Sequence, residues 1–180
     1  GQPLDDGDNL IVPAGVTLIV DGGATLRMSS ANLEVGSSSE LVSRAGASVQ
    51  ILGTPDASVA FTSLSNDPTA DPDAVQGPQL TIPGGGDWGG IVLRADSDWQ
   101  PAGDIDTTTL RPVLNNVAHA VISYGGGDVV VNAETETFSA IQIEDTRPTI
   151  AFSTVTYSAD AAISATPNSF EESNGRAGPE

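Results

Sequence analysis

The chain lacks both cysteine and lysine, and each absence excludes classes of site. Its 180 residues include 24 Asp and Glu against 6 basic residues, all of them arginine, so the formal net charge is −18. Without cysteine there is neither a disulfide framework nor a thiolate metal site. Without a basic patch there is no surface for nucleic-acid phosphates or anionic lipid headgroups. The apolar runs also fall far short of the roughly 20 residues that a membrane helix needs, so we expect no membrane insertion.

Aromatic residues are scarce as well, at two Trp, two Tyr and four Phe, whereas 20 Gly and 12 Pro are present. This composition is typical of a turn-rich chain with small side chains, and the length allows one domain with a core. Strong acidity without lysine is typical of secreted proteins in calcium-rich or saline settings, so we expect an extracellular or cell-surface location. The alternative reading of the charge is solubility through self-repulsion.

A repeat of short apolar segments predicts the fold. Six segments place apolar residues two positions apart, which is the period of a strand with one buried face. They begin 8, 8, 7, 8 and 8 residues apart, so three of them form a unit of 23 residues. A shift of 23 residues superposes Leu10 on Leu33, and it superposes Leu18 on Leu41. The six segments are Leu10–Val12, Leu18–Val20, Leu26–Met28, Leu33–Val35, Leu41–Ser43 and Val49–Ile51.

The repeat continues along the chain with insertions. If the bend after residue 52 carries three extra residues, Val59 falls under Leu33 and Phe61 falls under Val35. The strand pattern returns at residues 88–93 and then recurs with a period near 22 residues. That period aligns two columns, which are Val121, Ile143 and Ala165, and His119, Ile141 and Ile163.

These alignments favour stacked parallel coils. An antiparallel sandwich pairs strands that are neighbours in sequence. In this chain the strands with similar sequences lie 22 or 23 residues apart. We predict a single β-helix domain over residues 1–165 with three strands per coil and about five or six coils. Loops are predicted at about 63–87 and 95–112, and a polar C-terminal tail at 166–180.

Several phrases of the sequence resemble a known family. They are VPAGVTLIVDGGATLRM, LEVGSSSELV, ILGTPDASVAFTS, GGDWGGIVL and NNVAHAVISYGGG. In this order they resemble the right-handed parallel β-helix repeats of the pectin-lyase-like superfamily, as found in large secreted or surface-anchored bacterial proteins. The resemblance covers roughly residues 9–165 and implies an all-β, right-handed parallel β-helix. It also implies two chemistries to weigh, polysaccharide lysis with a basic residue beside Ca²⁺ and hydrolysis by paired carboxylates.

The charged residues argue against both chemistries. A uronate lyase needs cations against the substrate carboxylate, and this chain has no lysine and an acidic surface. A glycosidase needs two carboxylates across the scissile bond. Glu144 and Asp145 have no carboxylate at the 22-residue shift. Asp160 could approach Glu134 and Glu136 from a neighbouring turn, and solvated acidic turns are the favoured alternative.

Four residues are candidate carbohydrate contacts. Trp88 and Trp99 could form an aromatic platform for sugar stacking, and Asp145 and Asp160 are the candidate carboxylate contacts. The simpler reading of Trp88 is a packing residue next to two glycines. His119 is predicted to be a core or rim residue rather than a base.

Calcium is the one cofactor that the sequence suggests. Alternating carboxylates on loops are hard oxygen ligands suited to Ca²⁺, although none of the pairs continues into a complete calcium-binding motif. Solvated loops are the alternative reading. The candidate ligands are Asp71, Asp73, Asp96, Asp98, Asp104 and Asp106.

The function expected from these observations is that of a non-enzymatic structural module of an extracellular surface, matrix, fibre or adhesive protein. The alternative is a carbohydrate-active β-helix that binds or cleaves a polysaccharide. The ends of a β-helix must be capped, joined to more of a longer chain, or stacked on another copy. The expected partners are therefore a polysaccharide or cell-surface molecule, further coils, or end-to-end self-association.

Overall fold

The computed structural model describes residues 9–39, 41–66, 82–97, 115–131 and 133–170. These residues form fifteen strands and a single 3₁₀ turn, Pro167–Phe170. The strands are β1 Leu10–Val12, β2 Thr17–Asp21, β3 Thr25–Met28, β4 Leu33–Val35, β5 Ser48–Leu52, β6 Val59–Ser63, β7 Ile91–Leu93, β8 Asn116–Ala118, β9 Ala120–Ser123, β10 Asp128–Val131, β11 Glu134–Thr137, β12 Ile141–Ile143, β13 Thr149–Ala151, β14 Thr154–Thr156 and β15 Ile163–Ala165.

Thirteen of these strands form three parallel sheets. The first sheet has the order β1-β4-β7-β12-β15, the second β2-β5-β8-β13, and the third β3-β6-β9-β14. The chain visits the first, second and third sheets in turn. Each of four passes adds one strand to each sheet, and β15 adds a fifth strand to the first sheet. The predicted all-β class and the stacking of parallel strands are therefore confirmed, in an arrangement compatible with a β-helix.

The core lies between the three sheets. Alternate residues of each strand point inward, so inward rows of apolar side chains follow from one strand to the next. In the third sheet one such row joins Leu26, Phe61, Ile122 and Val155. Each fully buried side chain of this size contributes about 1.5–3 kcal/mol through the hydrophobic effect. The largest fully buried side chains of this core are Trp88, Phe61, Leu33, Ile51, Ile91, Leu93, Ile122 and Ile141.

The predicted register is correct at the two ends of the first sheet. Leu10 pairs with Leu33 at the N-terminal end of the stack, as the 23-residue shift predicts. At the other end, Ile141 pairs with Ile163, as the 22-residue shift predicts. The connections between strands are shortest in these two passes, so the number of residues between paired strands equals the length of one coil without insertions.

In the second sheet the prediction was wrong. Leu18 pairs with Val49 rather than with Leu41, which is 95% exposed and belongs to no strand. The chain leaves the stack after β4 and returns only at β5. The apolar spacing at 41–43 resembles a strand, but the segment lies in a loop that side-chain hydrogen bonds hold outside the stack.

Two further alignments were wrong for the same reason. Phe61 pairs with Leu26 in the third sheet, and it is Ile91, not Val59, that lies beside Leu33. Val121 likewise pairs with strands of the third sheet rather than with Ile143. The long insertions lie between the first and second sheets and between the third and first sheets, and their lengths differ from pass to pass, so one constant period cannot describe the three sheets.

An antiparallel hairpin covers the outer face of the first sheet. β10 and β11 pair with each other and with no other strand of the described chain. Val129 and Phe138 of this region pack on Val92, which points outward from β7, and Val131 adds to the contact. The first sheet is thus buried on both faces where the hairpin covers it.

Candidate functional site

Charged side chains gather on the outer face of the first sheet and just beyond the carboxyl ends of its strands. Glu34 points outward from the middle of β4 and is only 5% exposed. Its Oε2 lies 3.1 Å from Nη1 of Arg44, and its Oε1 accepts a hydrogen bond of 3.1 Å from Asn9. A buried carboxylate needs such partners, because desolvation without them would be costly.

A second ion pair joins the next two strands of this sheet. Nη1 of Arg94 lies 2.5 Å from Oε2 of Glu144, with about one sixth of either side chain exposed. Ser38 donates to the same oxygen at 2.9 Å, and Gln142 donates to Oε1 at 2.7 Å. Both carboxylate oxygens of Glu144 are therefore occupied by structural partners that come from three separate segments.

Asp96 closes the loop between β4 and β5. One carboxylate oxygen accepts the backbone N–H of Ser37, and the other accepts the backbone N–H of Arg44 at 2.6 Å. Gly36 has φ +81°, and a Cβ there would lie 2.7 Å from the backbone nitrogen of Ser97. The loop is therefore clamped close to the turn that follows β7. Asp96, a candidate calcium ligand by sequence, holds backbone donors in this structure.

Buried and half-buried amide side chains tie adjacent coils together. Oδ1 of Asn9 accepts the backbone N–H of Asn32 at 2.8 Å, and Oδ1 of Asn32 accepts that of Gly90 at 2.9 Å. Oδ1 of Asn115 accepts the N–H of Val49 at 2.8 Å. The Nδ2 atom of Asn32 is buried without a hydrogen-bond partner. These asparagines replace backbone acceptors where the ladders of the sheets are interrupted.

Trp88 has no exposed surface. Its indole Nε1 donates to the carbonyl oxygen of Ser123 at 2.9 Å, and its ring stacks on Phe61 with centroids 6.3 Å apart. A fully buried ring cannot stack on a sugar, so the structure supports the packing interpretation of this residue. Trp99 lies outside the described residues.

The two candidate carboxylates lie on separate turns and are both exposed. Oδ1 of Asp145 accepts the hydroxyl of Thr166 at 2.8 Å, and Oδ2 of Asp160 accepts that of Ser139 at 3.0 Å. Within the ranges that the structure describes, no group of three or more His, Asp or Glu residues could hold a metal ion. The other candidate ligands, Asp71, Asp73, Asp98, Asp104 and Asp106, lie outside the described residues.

Two stacked aromatic pairs were not predicted from the sequence. His119 stacks on Phe152 with centroids 4.9 Å apart, and Tyr124 stacks on Tyr157 at 5.2 Å. All four residues have positive φ, between 48° and 65°, and each follows or separates strands at a corner of the stack. A signal was present, because residues 118–124 (AHAVISY) and 151–157 (AFSTVTY) match at a shift that differs from 22.

No protein-family model, no curated protein and no solved structure matches this chain. The described residues include no helix that is long and apolar enough to cross a membrane. The class that the structure itself defines is that of an all-β protein built from three stacked parallel sheets.

Proposed function

We propose that the chain is a right-handed parallel β-helix of the pectin-lyase-like type. The regular visiting order of the three sheets supports this proposal, because each pass returns to the first sheet one strand further along. Parallel strands of one sheet are joined by right-handed crossovers in about 98% of cases, which supports a right-handed β-helix. The sequence phrases that resemble β-helix repeats fall largely on the strands and corners of this stack.

The function that we propose is mechanical and non-enzymatic. The protein serves as a rigid segment of an extracellular surface, matrix, fibre or adhesive protein. The observation that carries this proposal is that the buried and half-buried carboxylates bind other parts of the chain. Glu34 and Asp96 each engage both carboxylate oxygens with groups from other segments, and Oε2 of Glu144 engages Arg94 and Ser38, so that these carboxylates join coils and loops to one another.

The fold proposal is tested by disulfide trapping in a chain that has no cysteine of its own. Ile19 and Gln50 are paired outward positions of the second sheet, and Ile19 is 58% exposed. Neighbouring parallel strands lie about 4.8 Å apart, within the Cα separation that a disulfide spans. The double variant Ile19→Cys/Gln50→Cys should form an internal disulfide on mild oxidation, read by thiol titration and peptide mapping.

The matched control is Ile19→Cys/Val42→Cys, which the constant 23-residue shift would pair. Val42 is 49% exposed, so its cysteine is equally accessible to oxidant. We expect free thiols in this control. A disulfide in the control together with free thiols in the first variant would overturn the stacking on which the proposal rests.

Polysaccharide chemistry is the second candidate, and the exposure of Asp145 and Asp160 favours it. A panel of neutral and acidic glycans, assayed for new reducing ends and for the absorbance of unsaturated uronates, separates the two candidates. We expect no turnover. Turnover that Asp145→Asn or Asp160→Asn abolishes would replace the mechanical function with an enzymatic one.

A further inference from the structure

Two neighbouring strands of the third sheet carry the same kinds of outward residues. Residues 119–124 read HAVISY and residues 152–157 read FSTVTY, and the register places Thr154 beside Val121. In both segments the outward positions hold an aromatic ring, a β-branched side chain, a hydroxyl and a tyrosine. Close packing of the core constrains the inward residues only, so it does not explain why the outward residues repeat.

Stacked aromatic rings flank these two strands on both sides. The rings of His119 and Phe152 stack before β9 and β14, and those of Tyr124 and Tyr157 stack after them. Phe152 is nevertheless 82% exposed and Tyr157 70% exposed. Five extended residues separate these two, which corresponds to about 16 Å. We call the outward surface of β9 and β14 between the two stacks the ring-flanked strip.

The backbone at these corners is unfavourable for bulky residues. Phe152 has φ +53° and Tyr157 has φ +55°, in the left-handed region that side chains rarely adopt. Glycine adopts this conformation without strain, as Gly23 does between β2 and β3. Strained bulky residues are concentrated at functional positions. The two exposed rings are therefore candidates for contact with a ligand.

We propose that the ring-flanked strip binds a neutral polysaccharide chain along β14. This inference rests on the proposed adhesive function and deepens it, because it names the ligand class and the surface. A sugar ring presents an apolar C–H face that packs on aromatic rings, and its hydroxyls hydrogen-bond other hydroxyls. Phe152 and Tyr157 supply the rings. Thr154 and Thr156 are both exposed on the outward face of β14 and supply hydroxyls between the rings.

The charge of the chain favours a neutral ligand over an acidic one. A net charge of −18 repels a polyuronate, and cations beside the strip would be needed to offset this repulsion. The strands of the third sheet contain one arginine, Arg27 of β3, and two strands separate β3 from β14. The Nε atom of Arg27 donates to the Asn66 carbonyl oxygen at 3.5 Å. The ligand that fits is an uncharged chain with exposed C–H faces, such as a β-linked glucan.

Isothermal titration calorimetry of the full chain with cellohexaose and laminarihexaose tests the proposal. We expect at least one of the two to bind, and Phe152→Ala and Tyr157→Ala each to weaken that binding about tenfold, because each removes one stacking ring. The matched control is Val130→Ala, which truncates an apolar side chain that is 59% exposed on the hairpin. Its affinity should equal that of the wild type. Failure of both sugars to bind, or an equal loss in the control, would overturn the proposal.

Two conservative variants separate ligand contact from a structural role of the rings. Tyr157→Phe keeps the ring and should keep the affinity. Thr154→Val keeps the shape of an exposed side chain but removes its hydroxyl, so it should weaken binding about threefold or more without changing the Tm. Unchanged binding in Thr154→Val, together with loss of folded protein in Phe152→Ala by circular dichroism, would show that the rings only support the fold.

Hexagalacturonate is the charged counterpart of the neutral sugars. We expect it to bind about tenfold more weakly or less at low salt, because the chain repels it. Tighter binding of hexagalacturonate than of either neutral sugar would overturn the ligand class. If no sugar binds while the Ile19→Cys/Gln50→Cys disulfide forms, the proposed fold and mechanical function stand and the glycan site alone fails.

Discussion

Replacing Asp96 by alanine removes the clamp that closes the loop between β4 and β5. Its carboxylate accepts two backbone N–H groups, from Ser37 and Arg44, across 59 and 52 residues of sequence. A hydrogen bond to a charged group contributes about 1.5–3 kcal/mol, and Asp96 is half-buried, so we take the lower end for each bond. The expected loss in the free energy of unfolding is therefore about 3 kcal/mol.

Urea unfolding followed by circular dichroism measures this loss. For a chain of this length, ~3 kcal/mol corresponds to a fall in Tm of roughly 6–12 °C. Asp96→Asn keeps one carbonyl acceptor and should lose about half as much. Asp56 is an exposed turn residue and supplies the control, since Asp56→Ala should change stability by less than about 0.5 kcal/mol.

The effect of Ca²⁺ on stability distinguishes the two roles of Asp96, as a clamp on the loop or as the metal ligand that the sequence suggested. If Asp96 acts through Ser37 and Arg44, the loss in Asp96→Ala is the same in EDTA and in millimolar Ca²⁺. A metal ligand behaves differently, because bound Ca²⁺ stabilises the native state by mass action. The reasoning is refuted if Asp96→Ala matches the wild type in EDTA and falls below it only when Ca²⁺ is present.

Two other substitutions test the packing. Trp88→Phe should lower the free energy of unfolding by about 1–3 kcal/mol, because it removes the donor to the Ser123 carbonyl and part of a fully buried ring. Unfolding curves that coincide with those of the wild type would contradict that role. Ala133→Gly should raise stability by about 1 kcal/mol, because Ala133 has φ +65° between β10 and β11 and glycine adopts this conformation without strain. A lower Tm for this variant in a thermal scan would show that the turn is not strained.

The strands themselves could be predicted, because alternation of apolar and polar residues depends on a few neighbouring positions. Leu10–Val12, Leu18–Val20 and Val49–Ile51 all lie in observed strands. Leu41–Ser43 has a similar pattern and is a loop. Its position is decided by Asp96, which is far away in sequence, so no local pattern could show it.

From the sequence, the candidate site could be predicted only as a set of residue types, without the partners that each residue contacts. Asp96 stands out as a loop carboxylate, but its two backbone partners come from the loop that precedes β5. Trp88 stands out as an aromatic next to glycines, and only the fold shows that the chain buries it against Phe61. The stacked rings at Phe152 and Tyr157 repeat His119 and Tyr124 in the sequence, but at a spacing that a constant period of 22 or 23 residues does not include.

The sequence by itself determined the all-β class, the inward rows of small and branched apolar residues, and the excess of negative charge that a chain without lysine cannot neutralise. Only the tertiary structure decided which strand stacks on which, because the number of residues between partners depends on where each insertion leaves the coil. It also decided what the carboxylates do. Glu34 meets Asn9, Asp96 meets Arg44 and Glu144 meets Arg94 through contacts between coils, and such contacts exist only once the chain has folded.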